Sequence, residues 1–288
     1  MRYDLIHTTR HDYNDEVTTS YGRAHLLPRD QAGQKVINAH LQVSPAPNET
    51  GEHLDYFGNR SSYFAIREAH TSLDVTSRCS VEIERPTFTP EALNTTRWEQ
   101  GRVEAARKHT NVQFTLPSPQ VGVTSAVREY AAQIFQPGRP LGETLVALVH
   151  HINSDFEYRS GSTTVRSRLG EVLAKRSGVC QDFAHLAVGC LRSVGLAARY
   201  VSGYLETRPP EGSVKLQGAD ASHAWTSVLV PGGGWVDLDP TNNQFIDDRY
   251  VVLAVGRDYS DVPPLTGVIT TDATRSTMHV SVDVIPIL

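Results

Sequence analysis

Residues 221–240 read ASHAWTSVLVPGGGWVDLDP, two apolar, aromatic and β-branched runs joined by Pro-Gly-Gly-Gly. Such runs favour strands and such a link favours a tight reversal, so the stretch predicts an antiparallel hairpin. With the turn centred near residue 232, position 223 faces about position 240. His223, at the start of the first strand, then meets Asp239, at the end of the second, where Pro240 stops the ladder. Asp237 points to the same face further down the strand and is the alternative acid. A carboxylate beside an imidazole fixes its tautomer and supports the imidazolium, although each residue alone is ordinary strand material.

The histidine has a use if a nucleophile lies nearby. Cys180 sits 43 residues before His223, in RSGVCQDFAHL (176–186), where a Gly-Val loop enters helix-like sequence. Unpaired N–H groups and the positive dipole end in a first helical turn favour thiolate over thiol. The imidazole would deprotonate the cysteine to give a thiolate–imidazolium pair. The Cys180 N–H is a reasonable oxyanion donor, with Tyr158 or Gln181 as possible side-chain partners. Tyr204 and Trp225 are further candidates for the cleft wall, against the ordinary reading of strand aromatics as core.

A metal site is the competing reading of the same helix, from Cys180, His185 and Cys190. Spacings of five turn each side chain about 140° from the last, so three ligands do not converge on one ion. His185 is therefore read as packing, Cys190 and Cys79 as buried thiols, and no metal or other cofactor is expected. No Asp-rich calcium loop is present.

Helices are expected at 125–135, capped by Ser125, at about 142–153, in a short piece ending near Gly178, and from Cys180 to a stop at Gly195. Strands follow in AARYVSGYLET, the hairpin, RYVVLAVG and the alternating tail MHVSVDVIPIL, with PPEG (209–212) as a turn. The first third reads as β, in runs such as KVINAHLQVSP, SSYFAIREA and SLDVTSRCSVEI, with SPAPNETGEH as turn material. The expected fold is α+β: an N-terminal β domain (1–85), a connecting segment (86–122) and a core of helices followed by an antiparallel sheet, with a C-terminal strand (123–288).

Of the 288 residues 39% are hydrophobic and 20% charged, enough to bury a core. A net charge of −5 with no long basic run implies no nucleic-acid partner. The N-terminus MRYDLIHTTRHDY has no apolar h-region, and no apolar segment reaches the roughly 18 residues of a membrane span. Three scattered cysteines suggest a reducing, cytoplasmic setting.

The motifs GVCQDFAHL, GLAARYVSGYL, GADASHAWTSVLVPGGGWVDLDPTNN and GRDYSDVPPLTGV together resemble the bacterial transglutaminase-like proteins. IHTTRHDY, RAHLLPRD and DYFGN resemble the β-rich domain that precedes the core in that family. The resemblance implies a papain-like core with Cys180 as nucleophile, His223 as base and Asp239 as orienting acid. It implies thiol-dependent acyl transfer on a peptide, protein or small amide. Hydrolysis is the favoured outcome, with transfer to an amine as the alternative and a non-catalytic binding protein on the same fold as the second.

Overall fold

The computed structural model describes residues 1–86, 88–207 and 221–287. Five strands open the chain: β1 (Arg2–Ala24), β2 (Gln34–Ser44), β3 (Glu49–Leu54), β4 (Arg60–Ile66) and β5 (His70–Ile83). They lie in the order β2-β5-β1-β4-β3, with β1 paired to β5 along its first half and to β4 at its end. Alternation sets the buried side of β5: Leu73, Val75, Cys79, Val81 and Ile83 all face the core. Burial pushes the Cys79 thiol up to about 12, so it is an inert packing group. The sequence places turn material at SPAPNETGEH, yet Glu49–Leu54 is a strand exposed at every residue. It holds to β4 by backbone pairing at the sheet's edge, which needs no apolar face.

Three short helices, α1 (Pro90–Leu93), α2 (Gln100–Ala106) and α3 (His109–Val112), cross to the second half. There follow α4 (Ser125–Ile134), α5 (Leu141–Asp155), β6 (Glu157–Tyr158), α6 (Leu169–Lys175), β7 (Ser177–Gly178) and α7 (Cys180–Ser193). Thr124 rather than Ser125 caps α4, its hydroxyl accepting from Val127 N at 3.4 Å. Arg176 rather than Gly178 takes the left-handed turn after α6, at φ 51°. Gly178 serves a different need: a Cβ there would come within 2.9 Å of the Asp182 side chain.

The second sheet contains β8 (Ala198–Leu205), β9 (Ala221–Leu229), β10 (Trp235–Asp239), β11 (Gln244–Phe245) and β12 (Tyr250–Gly256), in the order β11-β10-β9-β8-β12. The hairpin forms as the spacing predicts, with Leu238 opposite Thr226; continued, its register sets His223 opposite Thr241, one residue from the expected partner. Even positions Ala198, Val228, Val236 and Leu238 pack on the helices. The PPEG stretch lies outside the described residues.

The C-terminal strands correct the expected domain boundaries. β13 (Leu265–Thr271) and β14 (Ser276–Ile287) pair with the two halves of β1, so they complete the N-terminal sheet instead of extending the 123–288 core. Alternation at Val280, Val282 and Val284 identifies a strand but carries no information on which edge accepts it. The two halves also share one core, in which Tyr3, Leu5, Val282 and Val284 pack with Tyr204, Val251 and Leu253.

His7 on β1 spans that junction, its Nδ1 2.9 Å from the Tyr204 hydroxyl and its Nε2 3.0 Å from Thr9 Oγ1. Burial lowers its pKa from 6.5 to about 4. The folded state thus keeps a neutral ring where the unfolded chain takes up a proton. That contribution is intact above about pH 6.5 and is lost as pH falls toward about 4. Urea unfolding across this window should show a pH slope flatter in His7→Gln by up to about 1.4 kcal/mol per pH unit. Equal slopes in the two proteins would contradict this role.

Candidate active site

α7 starts at Cys180 because Val179 is extended and the next residues are helical, which puts the thiol in the first turn. Asp182 fastens this start: its buried Oδ2 accepts from Val179 N at 2.9 Å and from Thr163 Oγ1 at 2.6 Å. The N–H groups of Cys180 and Gln181 belong to the turn that has no intrahelical acceptors, so they are the local donors for an anion beside the thiol.

The part-buried Cys180 thiol lies close enough to His223 to raise the pKa of its ring. On the ring's other side, His223 Nε2 lies 2.7 Å from Asp239 Oδ2. That leaves Nδ1 as the ring nitrogen for sulfur. Asp239 is wholly buried and receives four further bonds. Its Oδ1 accepts from Thr241 N at 2.8 Å and Asn242 N at 3.2 Å, and its Oδ2 from Asn242 Nδ2 at 2.7 Å and Tyr250 OH at 2.6 Å. Burial alone would raise this carboxyl, but His223, Tyr250 and Asn242 outweigh it and hold the pKa below the ordinary value. Burial likewise works against the His223 cation, yet Asp239 and Cys180 prevail and raise it from 6.5 to about 10. The arrangement therefore favours imidazolium between carboxylate and sulfur.

Asp237, the alternative acid, shares the face of Asp239 but sits further down the strand, opposite Ser227, with its Oδ2 4.0 Å from Arg85 Nη1. Tyr158 is 55% exposed on β6, and its phenol is raised by burial and, second, by the Cys180 thiol. Gln181 is nearly buried, with Nε2 donating to Val165 O at 3.4 Å. Two cleft candidates are corrected. Tyr204 is buried in the junction of the two sheets, packed with Tyr3, Val251 and Val282 and bonded to His7. Trp225 is fully buried beneath the site, its ring centroid 6.1 Å from that of His223 and 5.3 Å from that of Tyr250. Both support the sheet and neither lines the cleft.

His185 and Cys190 are both buried in α7. His185 Nε2 accepts from Tyr259 N at 3.1 Å, and burial lowers its pKa to about 4, so the ring is neutral. Among the described residues no cluster of His, Cys, Asp and Glu has metal-binding geometry. Nor is any helix among them long and apolar enough to cross a membrane.

Asn242 and Tyr250 are absent from the sequence reading. Asn242 could be suspected from its place just past the Asp-Pro turn, where Asn bonds backbone and side chain alike. Tyr250 opens a strand at the far side of the sheet, and only the fold brings it to Asp239. Tyr250→Phe removes one hydrogen bond to a buried charge and should cost about 1.5–3 kcal/mol of stability in urea unfolding. An unchanged midpoint would show that this bond contributes nothing.

Residues 3–82 match the family model of the bacterial transglutaminase-like N-terminal region, and residues 128–240 that of the transglutaminase-like superfamily. An uncharacterised protein of Mycobacterium tuberculosis is 47% identical over 294 residues, which cover 99% of this chain and 93% of that one. A protein-glutamine gamma-glutamyltransferase of Pseudomonas aeruginosa is 38% identical over 68 residues, 23% of this chain and 10% of that one. The crystal structure of a Cytophaga hutchinsonii protein named as a candidate cysteine protease superposes with a TM-score of 0.80 at 20% identity, covering 100% of this chain and 91% of that one. That likeness spans both sheets and the helices between them. The chain thus belongs to the transglutaminase-like superfamily, with the bacterial N-terminal β region ahead of its core.

Proposed function

We propose that this protein is a thiol enzyme that cleaves an amide or peptide bond through Cys180, His223 and Asp239. The observation that carries the reading is His223 placed between the Cys180 thiol and a buried, multiply bonded Asp239 carboxylate. The thiolate attacks the carbonyl carbon, and the N–H groups at the start of α7 take the developing oxyanion. The imidazolium delivers its proton to the departing amine, leaving a thioester on Cys180. The now neutral imidazole deprotonates water, whose oxygen displaces the thiol as the carboxylic acid is released. No step calls for a cofactor, and three free thiols suit the reducing cytoplasm proposed as its location.

The 68-residue match to a protein-glutamine gamma-glutamyltransferase favours a second reading, in which a primary amine resolves the same thioester. Incubation with a peptide library, with and without a primary amine, separates the two by mass. Cleavage, or the +1 Da of deamidation, marks hydrolysis; a gain of the amine minus ammonia marks transfer. A protein that changes no peptide, while its Cys180 reacts like an ordinary thiol, would overturn both.

A further inference from the structure

A cavity of about 440 Å³ lies between the two sheets, on the face of the second sheet opposite the helices. Arg29 and Arg85 reach it from the N-terminal part, and Arg199 of β8 and Asp237 of β10 from the core. Arg199 of β8 and Trp235 and Asp237 of β10 are odd positions that share one face of the sheet, and Cys180, His223 and Asp239 are not among the residues lining the cavity.

Three guanidinium groups and one carboxylate line the cavity, with Asp55 acting on Arg29 and Asp247 and Asp248 on Arg85 from outside it, and the bonds of the arginines do not close on one another. Arg29 Nη1 donates to Phe57 O at 2.9 Å and Asn59 Oδ1 at 2.7 Å. Arg85 Nη2 donates to Tyr250 O at 2.7 Å, while its Nη1 stays 4.0 Å from Asp237. Arg199 stacks over Trp235, 4.2 Å from the ring centroid. The Nε of each arginine is shielded from solvent and has no hydrogen-bond partner among the described residues; Asp237 Oδ1 is in the same condition. Burial lowers all three arginines, Arg199 to about 10, and outweighs the acids that raise them: Asp55 for Arg29, Asp237, Asp248 and Asp247 for Arg85, and Asp237 for Arg199. Such orphaned donors cost free energy unless something accepts from them. Phe88, Trp235, Phe245 and Ile246 supply the apolar wall.

We propose that this cavity is a binding site for a small organic anion, a carboxylate or phosphate monoester whose head meets Arg85 and Arg199 and whose apolar body lies along Trp235, Phe88 and Phe245. Guanidinium forks match both heads, and the volume is that of a small-ligand pocket between structural units. Arg85 also bonds the backbone of Tyr250, whose hydroxyl bonds Asp239, so the occupied cavity adjoins the support of the candidate triad.

Calorimetric titration of the full chain with 2-naphthoate, 2-naphthyl phosphate and the neutral 2-naphthalenemethanol tests the site. At least one anion should bind saturably, the alcohol should not, and inorganic phosphate should compete; the tighter anion identifies the head group. Arg85→Gln should weaken that binding by about tenfold or more, and Asp237→Asn, which removes the competing charge, should tighten it by a similar factor. The second variant keeps the test decisive if the arginine change prevents folding. Absence of saturable anion binding, equal binding of the alcohol, or unchanged affinity in Asp237→Asn overturns the proposal. None of these readings uses turnover, and binding should persist in Cys180→Ala, so the result stands apart from the proposed chemistry.

Discussion

Cys180→Ala should reduce peptide or amide turnover by about 10⁴-fold or more while leaving the unfolding midpoint nearly unchanged. In the proposed mechanism the sulfur forms the covalent intermediate, and His223 and the α7 donors act through it. The side chain is part-buried at a helix start, and alanine is the best helix former, so the change removes little packing. His223→Ala should cost a comparable factor, and the double variant should be scarcely worse than either single one. Non-additivity of that kind is the mark of groups acting as one unit. Additive losses, or full activity in Cys180→Ala with a peptide that the wild type cleaves, would show that the chemistry lies elsewhere. Measurement of kcat and KM on each purified variant decides the matter.

Replacement of Asp239 should be the most damaging change to stability and nearly as damaging to rate. This carboxylate collects bonds from His223, Asn242, Thr241 and Tyr250 with no exposure to water. Asp239→Ala leaves those donors facing an empty space and the imidazolium without its partner. Breaking a buried pair from one side costs about 3–5 kcal/mol. Asp239→Asn keeps the shape and should retain more of the stability, but the amide presents a donor to a ring that needs an acceptor. Turnover should then fall by about 10⁴-fold. Equal stability in all three proteins, by urea unfolding, would mean that the carboxylate is not holding this corner together.

The pair His223 and Asp239 was legible because a hairpin is a local object. Turn chemistry sets its centre, the two-residue period sets its faces, and position follows by counting to within one residue of the observed register. Cys180 was legible as a helix-start thiol for a similar reason. What the sequence could not carry is long-range. Tyr250 meets Asp239 only once β12 has joined the far edge of the sheet. β13 and β14 return more than 240 residues along the chain to flank β1, which no local pattern encodes. Tyr204 and Trp225 show the converse limit: an amphipathic aromatic looks alike in sequence whether it lines a cleft or seals two sheets together. Gln181 sits at the helix start and Tyr158 on β6, but their roles depend on a substrate.

The central claim is that Cys180 and His223 act as a charged pair, and the pH dependence of Cys180 alkylation by iodoacetamide tests it most directly. The wild type should keep most of its rate from about pH 8 down to about pH 6, while in His223→Ala the rate should fall about tenfold per unit, as for an isolated thiol. Equally slow labelling of Cys180 in both proteins, with the same pH profile, would contradict the account.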